Sequence, residues 1–513
     1  MSGRRAALLI ALGAVLLAAS YPPFHLPPLS FIALAPAIFL LRVLTARGDA
    51  RRAFRLGFWY GAAANGLVLH WLVVALWHFT PLALLGYLLT AAVLGLWCGA
   101  VFWLVVRVRG RLPALPLWLV VPVLWTAMEW GIGHQGDVAF PWLGLGSSLT
   151  DAPVLVQWAD FAGAHGVTWW LVWCSVILVE AALAWPVERR AAWRRLGSFA
   201  LTVAAAWGYG AWRMRTLPLR EVGAIGLVQP NEGFREKWNP AHSDSVVATV
   251  LDLSRRMTAQ AHLDLIAWPE AALPGFLIQE PAWDSAVTRF TRESHTPVIT
   301  GALHVDFLPG GGSSIYNAAF LFDSSGVWRN APIYAKHYLV PVVEHVPFVP
   351  VSWFRHVPWL SRWSGGFKKG TTLPLYHIGI GRFGVLVCYE SAFEDVARGY
   401  RAGGADFLVN VTNDAWYGRT AGPYQHAAHV VMRAIETRMG IARAANDGIT
   451  MFVDPLGRIS DATTLETRTW VVGRLQTSDV KPLYVVLGDW VGTFSVVLSL
   501  AALVFVLVRK SRG

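Results

Sequence analysis

The 513-residue sequence has few charged residues and very few cysteines. Asp, Glu, Lys and Arg make up 15% of the chain, whereas they form roughly a quarter of an average soluble protein. A wholly soluble enzyme is therefore a poor fit. The three cysteines, Cys98, Cys174 and Cys388, are far apart and odd in number, which excludes a disulfide framework and a cysteine-rich metal site. No internal repeat or low-complexity tract is present, which excludes repeat and disordered architectures.

Long apolar runs are abundant instead, and hydrophobic residues form 55% of the chain. A helix needs about 20 apolar residues to cross the hydrocarbon core of a bilayer. Runs near this length predict eight transmembrane helices, at residues 6–20, 29–44, 54–79, 82–106, 115–130, 166–185, 196–212 and 491–508. The first run follows Arg4 and Arg5 and precedes Ala18-Ala19-Ser20, so a cleaved signal peptide is the alternative there. Both alternatives leave residue 20 outside.

The net charge of +11 is unevenly distributed between the loops. Lys and Arg in short loops stay on the cytoplasmic side, and here they occupy alternate loops only. The inner set is Arg4, Arg5, Arg42, Arg47, Arg51, Arg52, Arg55, Arg107, Arg109, Arg111, Arg189, Arg190, Arg194, Arg195, Arg509, Lys510 and Arg512. The short outer loops, at residues 21–28, 80–81 and 131–165, contain no Lys or Arg. Both termini are therefore predicted in the cytoplasm, with residues 213–489 outside. In a bacterium the outer side is the periplasmic face of the inner membrane.

This distribution divides the chain into three parts. Residues 1–212 contain seven predicted helices, residues 213–489 form an outer domain, and residues 490–513 contain the last helix and a basic tail. Acidic and basic residues nearly balance in the outer domain. A nucleic-acid partner needs a basic face on the domain that binds it, so we predict no nucleic-acid binding.

The outer domain has the pattern of an α/β fold. Short apolar runs that are not alternating predict buried strands, at residues 222–228, 263–268, 297–303, 318–322, 383–387, 407–411, 449–453 and 471–475. Polar stretches of helical length lie between several of them, at residues 243–261, 282–293 and 424–445. The pattern predicts strands covered by helices, in a domain large enough for its own core.

Three reactive side chains lie at or near the ends of these predicted strands. Glu270 follows the run 263–268, Cys388 follows the run 383–387, and Lys336 lies between them in sequence. Catalytic groups of α/β sheets gather at strand ends. Each residue also has a structural interpretation, since a buried Cys packs as a small hydrophobic residue, a Glu after Pro favours a helix start, and a single Lys is normally solvated.

Together, however, the three side chains are sufficient for acyl transfer without a metal or cofactor. A thiol becomes a nucleophile when a base removes its proton, and Glu270 is the candidate base. The ammonium of Lys336, together with the backbone N–H of Tyr389, can stabilise the oxyanion of a tetrahedral intermediate. His426 and His429 are a possible ligand pair but have no acidic or Cys partners at metal spacing. We therefore expect solvated or core histidines and no metal site.

Three segments resemble the signatures of the nitrilase, or carbon–nitrogen hydrolase, superfamily. They are Trp268-Pro269-Glu270, Tyr334-Ala335-Lys336-His337-Tyr338-Leu339 and Val387-Cys388-Tyr389-Glu390-Ser391. With seven spans before this domain and one after it, the whole chain resembles the membrane-embedded apolipoprotein N-acyltransferase branch. Further matches are Lys237-Trp238, residues 341–348, Asn413-Asp414-Ala415-Trp416-Tyr417 and Phe140-Pro141-Trp142.

The resemblance implies an α-helical membrane bundle joined to an αββα sandwich. It implies that Cys388 is the nucleophile, Glu270 the general base and Lys336 the oxyanion stabiliser. The additional functional positions that it implies are Trp238, Glu344, Tyr389 and Glu390. The implied reaction is a ping-pong transfer: an acyl chain passes from a membrane phospholipid through a Cys thioester to the α-amino group of the N-terminal diacylglyceryl-cysteine of an apolipoprotein. No cofactor is implied.

Two other functions are compatible with parts of this pattern. A membrane-anchored amidohydrolase of the nitrilase type would use the same three residues with water as the acceptor, but eight spans exceed what an anchor needs. A transporter or lipid-binding protein with an inert domain would have no need for all three residues. The tryptophan-rich residues 351–367 have a composition suited to the membrane interface. We hypothesise a membrane-dipping lid there, with a loop packed on its own domain as the alternative.

Overall fold

The computed structural model describes residues 2–308, 312–348 and 366–508. The chain divides into two compact units, which are treated separately below. One unit contains Met1–Gln135, Ala139–Thr216 and Leu487–Gly513, and the other contains Gly136–Val138 and Leu217–Val486. The hypothesis of a lid concerns residues 351–367, of which all but the last two lie outside the described residues.

Helices occupy most of the first unit and alternate with strands in the second. In chain order the helices are α1 (Gly3–Ser20), α2 (Pro27–Ser30), α3 (Ala35–Arg47), α4 (Ala50–Val68), α5 (Trp71–Trp77), α6 (Ala83–Arg111), α7 (Leu117–Gly133), α8 (Pro153–Val156), α9 (Ala159–Ala184), α10 (Arg189–Thr216), α11 (Phe234–Lys237), α12 (Ser243–Thr258), α13 (Pro281–Ser294), α14 (Glu394–Gly403), α15 (Gly422–Thr437), α16 (Leu483–Leu487) and α17 (Trp490–Val508).

Helices cover most of each of the eight apolar runs of the sequence, with breaks at residues 31–34 and 69–70. Within the described residues, five helices are long and apolar enough to cross a membrane: Gly3–Ser20, Pro27–Arg47, Ala83–Arg111, Ala159–Ala184 and Trp490–Val508. The pair α4 and α5, bent by 64°, makes a sixth if it is one span. Helix α7 is apolar but shorter, and α10 is not among the candidates. Several membrane-crossing helices are therefore supported, while the count of eight remains a prediction.

The helical unit exposes many large hydrophobic side chains on its surface. On α17 the exposed side chains include Phe494, Val497, Leu500 and Val504. Helix α6 likewise exposes a series of leucines along its first half. Contiguous apolar surface of this extent marks contact with a membrane or a partner, and its position on helices of membrane length favours the membrane.

The described part of the second unit contains two β-sheets. The strands are β1 (Arg220–Gln229), β2 (Leu265–Ala267), β3 (Leu273–Phe276), β4 (Val298–Phe307), β5 (Ser313–Phe322), β6 (Tyr334–Ala335), β7 (Tyr376–Ile378), β8 (Gly381–Val387), β9 (Phe407–Thr412), β10 (Gly440–Ala445), β11 (Met451–Val453), β12 (Ile459–Ser460) and β13 (Thr469–Thr477). One sheet has the order β13-β1-β2-β4-β5-β6, with β3 beside β4, and the other has the order β12-β11-β10-β9-β8-β7.

The two sheets pack against each other and are covered on their outer faces by helices. Helices α12 and α13 pack on the first sheet, and α14 and α15 pack on the second. The core beneath α12 and α13 includes Trp268, Phe290 and Phe320. This is a four-layer α/β/β/α arrangement, as the resemblance to the nitrilase superfamily implied.

Parallel pairing at the centre of each sheet determines where the strand ends lie. Strand β2 runs parallel to β1 and β4, and β9 runs parallel to β8 and β10. Each of the eight short apolar runs overlaps a strand, and β2, β9 and β10 are buried along their whole length. The carboxyl ends of parallel strands meet at one edge of a sheet, so the residues that follow β2 and those that follow β8 and β9 are brought to the sheet edges.

The expected helix over residues 424–445 is wrong in its second part. Helix α15 ends at Thr437, because Arg438 adopts the left-handed conformation with φ of 53°. The chain then forms β10, parallel to β9. A Cβ atom at Gly440 would collide with the carbonyl oxygen of Gln476 in the opposite sheet. Glycine therefore allows the two sheets to approach closely here, a tertiary requirement that helical periodicity does not contain.

Candidate active site

Cys388 lies where β8 ends and a short 3₁₀ turn, Cys388–Ala392, begins. The residue is buried and has a φ of 52°. A left-handed backbone is costly for a residue with a side chain and persists only where its surroundings hold it. The turn therefore fixes the thiol in a conformation that a free chain would rarely adopt.

Glu270 follows β2 and is held by three donors. Its Oε1 accepts hydrogen bonds from Nδ2 of Asn317 at 2.7 Å and from Nζ of Lys336 at 3.2 Å. Its Oε2 accepts one from the backbone N–H of Asn413 at 3.0 Å. Burial opposes ionisation, but the charge of Lys336 and the bond from Asn317 outweigh it and lower the pKa of Glu270. The side chain is therefore a carboxylate at neutral pH.

Lys336 directly follows the short strand β6 and is only 1% exposed. Its Nζ lies 3.2 Å from Oε1 of Glu270 and 3.0 Å from Oε1 of Glu344. Burial alone would lower the pKa of the lysine, but the two carboxylates raise it above its usual value. A permanent ammonium ion is thus held inside the domain, close to the strand end that carries Cys388.

Asn317 connects the carboxylates of Glu270 and Glu344, and sequence analysis did not predict this role. Its Nδ2 donates to Oε1 of Glu270 at 2.7 Å and to Oε1 of Glu344 at 2.9 Å. Glu344 is further fixed by the backbone N–H of Val340, which donates to Oε2 at 2.7 Å. The available signal was an amide side chain inside an apolar strand, β5, since Asn is depleted from strands.

The thiol of Cys388 is uncharged in this environment. Burial and the negative charge of Glu270 raise its pKa, and the nearby ammonium of Lys336 only partly offsets them. A neutral thiol beside a carboxylate needs general-base assistance at the moment of attack. Glu270, Lys336 and Cys388, which lie on different elements, are thus brought together, and Glu344 joins them.

Glu390 is buried two residues after the nucleophile and serves as an anchor for two segments. Its oxygens accept from the backbone N–H of Val387 at 2.7 Å, from that of His337 at 2.5 Å and from the hydroxyl of Tyr334 at 2.8 Å. Burial raises the pKa of Glu390 to about 7, although these bonds oppose the shift. The side chain therefore ties the end of β8 to the segment that carries Lys336.

Tyr389 and Trp238, two of the additional functional positions predicted from the sequence, differ in solvent exposure. Tyr389 is buried, and its ring lies edge-on to that of Phe393 at 5.1 Å. Trp238 caps the C-terminal end of α11 and is 41% exposed. A large, half-open indole is available to contact a ligand, whereas the Tyr389 ring is part of the packing around the turn.

Lys237, the residue before Trp238, is a second buried lysine beside the site. Its Nζ donates to the backbone carbonyl of Glu270 at 2.6 Å. Burial lowers the pKa of Lys237 to about 8, although the negative charges of Glu270, Asp447 and other acids raise it. It supports the segment that carries Glu270, a contact that sequence reasoning did not predict.

His426 lies on α15, within the helix expected from the sequence, but it is not paired with His429 for a metal. One ligand atom from each of Cys388, Asp414 and His426 falls within 4.8 Å of the others. However, the guanidinium of Arg443 lies 2.8 Å from Oδ2 of Asp414 and already supplies a positive charge. Both ring nitrogens of His426 are also engaged, with Asp414 and with the carbonyl of Cys388. We therefore assign this cluster to hydrogen bonding.

Two family models match the chain. Residues 13–177 match the apolipoprotein N-acyltransferase N-terminal domain, and residues 224–484 match carbon-nitrogen hydrolase. In the solved structures, a variant of the Nesterenkonia AN1 amidase from the nitrilase superfamily is 19% identical, with a TM-score of 0.37, and the match covers 54% of this chain and 96% of that chain.

Curated relatives match over nearly the whole chain. The apolipoprotein N-acyltransferase of Geobacter metallireducens is 33% identical, over 95% of this chain and 92% of that protein. The apolipoprotein N-acyltransferase of Chlorobaculum tepidum is 30% identical, over 86% of this chain and 84% of that protein. With both domain models in order along the chain and a Glu–Lys–Cys site in the second, this chain belongs to the apolipoprotein N-acyltransferase family.

Proposed function

We propose that this protein transfers an acyl chain from a membrane phospholipid, through a thioester on Cys388, to the α-amino group of the N-terminal diacylglyceryl-cysteine of an apolipoprotein. The observation that carries the proposal is the neutral, buried thiol of Cys388 beside Glu270 and Lys336, with Glu344 3.0 Å from the ammonium nitrogen of Lys336. The same chain contains apolar helices of membrane length. It thus combines a nucleophile for acyl transfer with a means of reaching lipid.

In the first half-reaction, the thiol of Cys388 attacks the ester carbon of the phospholipid while Glu270 takes the thiol proton. A C–S bond forms, and the carbonyl oxygen becomes an oxyanion that the ammonium of Lys336 and the N–H of Tyr389 stabilise. When the intermediate collapses, the ester C–O bond breaks. The leaving oxygen takes the proton back from Glu270, which releases the lysophospholipid and leaves the acyl group on sulfur.

In the second half-reaction, the uncharged α-amine of the acceptor attacks the thioester carbon. Glu270 accepts the proton that the amine loses as the C–N bond forms. The C–S bond then breaks, and the proton on Glu270 returns to the sulfur of Cys388. The product is an amide, and the enzyme is restored with the same protonation as at the start.

We further propose eight membrane-spanning helices with both termini in the cytoplasm and the site on the periplasmic side of a bacterial inner membrane. The segments involved are residues 1–212 and 490–513, with the catalytic domain over residues 213–489. The confinement of basic residues to alternate loops supports this orientation. Moving a chain of about sixteen carbons into water costs roughly 12 kcal/mol at about 0.8 kcal/mol per methylene, so the site must open toward the bilayer.

The remaining residues receive supporting roles in this proposal. Glu344 holds the ammonium of Lys336 in place, and Glu390 fixes the turn that carries the nucleophile. Trp238, half exposed at the end of α11, contacts the acyl chain or the acceptor. Tyr389 contributes its backbone N–H to the oxyanion site. No cofactor takes part in either half-reaction.

The test is intact-mass spectrometry of the purified protein after incubation with phospholipid. We expect an adduct of one acyl chain on the native protein and none on the Cys388→Ala variant. Addition of a peptide with an N-terminal diacylglyceryl-cysteine should remove the adduct and yield the N-acylated peptide. Absence of any adduct on the native protein would contradict the proposal. An adduct discharged by water alone would favour the amidohydrolase alternative, which the named relatives do not favour.

A further inference from the structure

The peptide group that follows the nucleophile is held by a buried histidine. Nε2 of His426 lies 2.9 Å from the carbonyl oxygen of Cys388, and Nδ1 lies 2.8 Å from Oδ1 of Asp414. The His426 and Asp414 side chains are completely inaccessible to solvent. A histidine on α15 is thereby linked to the backbone of the turn that follows β8.

The partner of Nε2 is a hydrogen-bond acceptor. A backbone carbonyl can only accept, so Nε2 must carry a proton and donate it. Burial opposes the charge of Asp414, but Arg443 and His426 outweigh burial and lower the pKa of Asp414 to about 2. Asp414 is thus an acceptor as well, fixed by Arg443 at 2.8 Å and by the Thr412 hydroxyl at 3.1 Å. Nδ1 lies 2.8 Å from Oδ1 of Asp414 and 3.3 Å from Nη2 of Arg443, so these two side chains orient the ring while Nε2 donates to the carbonyl of Cys388.

The direction of that carbonyl determines the direction of a catalytic group. The C=O of Cys388 and the N–H of Tyr389 belong to one planar trans peptide and point in opposite directions. A bond that holds the carbonyl toward His426 therefore aims the N–H of Tyr389 away from His426. Hydrogen bonds in a chain also polarise one another, so the donor on this oxygen strengthens the N–H of Tyr389 as a donor.

The turn needs such a restraint, because Cys388 is in the left-handed conformation. This conformation persists only when the surroundings over-determine it. On the N-terminal side of the residue, Glu390 accepts from the N–H of Val387 at 2.7 Å. On the C-terminal side, His426 donates to its carbonyl. The two bonds enclose the nucleophile from both sides of its backbone.

We propose that His426, oriented by Asp414, is a positioning residue of the oxyanion site: it fixes the peptide between Cys388 and Tyr389 so that the N–H of Tyr389 joins Lys336 in binding the oxyanion. The inference rests on the proposed function, since an oxyanion forms only if Cys388 attacks an acyl group. It assigns a role to a histidine on α15 that acts through the backbone carbonyl of Cys388.

Two substitutions at His426 distinguish a hydrogen bond to the carbonyl of Cys388 from the presence of any polar side chain at this position. His426→Gln places an amide nitrogen near the position of Nε2 and keeps a donor for the carbonyl of Cys388. His426→Asn shortens the side chain, so that the amide nitrogen lies near the position of Nδ1 and reaches only Asp414. His429→Asn is the matched control, since His429 lies one turn further along α15 and is also buried.

The experiment measures acylation of Cys388 and its alkylation by iodoacetamide in the same preparations. Acylation is followed by intact mass with dipalmitoyl phospholipids bearing ethanolamine, glycerol and choline headgroups in mixed micelles. Iodoacetamide reacts by displacement at a saturated carbon and forms no oxyanion, so its rate reports the thiol and its base alone. We expect His426→Asn to lower the acylation rate about 10²- to 10³-fold, the range for loss of one oxyanion donor, and to leave alkylation within about twofold of native.

The expected pattern also includes acylation of His426→Gln within about tenfold of native and of His429→Asn within about twofold. Acylation of His426→Asn at the native rate would overturn the inference, and so would a parallel loss of alkylation, which would indicate a displaced nucleophile. If the native protein forms no acyl adduct, the proposed function fails and the inference fails with it. If the native protein forms the adduct and His426→Asn is acylated at the native rate, the proposed function stands and only the role of His426 is refuted.

Discussion

The ammonium nitrogen of Lys336 lies 3.0 Å from Oε1 of Glu344, in a position where only 1% of the lysine is exposed. Breaking a buried ion pair by removing one partner costs about 3–5 kcal/mol, because the remaining charge is left uncompensated. The ion pair is therefore as important for stability as for chemistry, and the two contributions can be separated.

We predict that Lys336→Met lowers the free energy of unfolding of the catalytic unit by about 3–5 kcal/mol and abolishes acylation of Cys388. The double variant Lys336→Met with Glu344→Gln should regain part of the stability, since one buried charge fewer is left without a partner, but none of the activity. Chemical denaturation in detergent and the mass assay measure the two effects. Equal stability of the single and double variants would contradict this explanation.

The second prediction concerns Asn317, which donates to Glu270 and Glu344. The bond from Asn317 favours the ionised form of Glu270, so Asn317→Ala should raise the pKa of that carboxyl. A base with a higher pKa is protonated at higher pH, and the acid limb of kcat/KM should therefore move upward. Ser314→Ala, on the same strand, is the control that should leave the limb unchanged. A pH profile of Asn317→Ala with an unmoved acid limb would show that the bond does not tune the base.

The third prediction is that the transfer half-reaction slows as the acceptor amine is protonated. An α-amino group has a pKa of about 7.7–8.0, and only the neutral form attacks a thioester. Enzyme acylated beforehand should therefore discharge to the lipopeptide roughly 100-fold more slowly at pH 5.5 than at pH 8. Stopped-time mass spectrometry of the thioester gives this rate directly. The same transfer rate at both pH values would refute the prediction.

The fourth prediction concerns Glu390, whose oxygens face hydrogen-bond donors from Val387, His337 and Tyr334. Glu390→Gln places an amide NH₂ group against at least one backbone N–H, and an unsatisfied buried donor costs about 1–3 kcal/mol. We expect lower thermal stability and an acylation rate at least about tenfold below native, because the segments of Lys336 and Cys388 lose their common anchor. Glu394→Gln, on α14, should have the smaller effect on acylation. Native acylation by Glu390→Gln would exclude the anchoring role.

The fifth prediction tests the membrane topology with alkaline phosphatase, which is active only outside the cytoplasm. Fusions after residues 81, 135 and 217 should be active, and fusions after residues 48, 112 and 188 should be inactive, because basic loops remain inside. The fusions after 48 and 81 decide whether the bent pair α4 and α5 is one span. Activity after residue 188 would remove α10 as a span and reduce the count below eight.

Much of the fold could be predicted because the relevant signals are local. Apolar length located all eight long helical runs, and short apolar runs located eight of the strands. Glu270 and Cys388 could be chosen because both directly follow apolar runs, and strands with a parallel neighbour bring such residues to a sheet edge. The error over residues 424–445 arose where a strand with several alanines follows a helix without a change in apolar content.

The sequence by itself determined the membrane-length helices, the layered α/β domain and the candidate reacting groups, since composition and strand-end position are properties of short segments. Only the tertiary structure decided which other side chains complete the site. Asn317 contacts Glu270 across 47 residues, Lys237 contacts it across 33, and His426 reaches the carbonyl of Cys388 across 38. Such contacts depend on how the sheets and helices pack around the strand ends, and no periodicity in the chain encodes them.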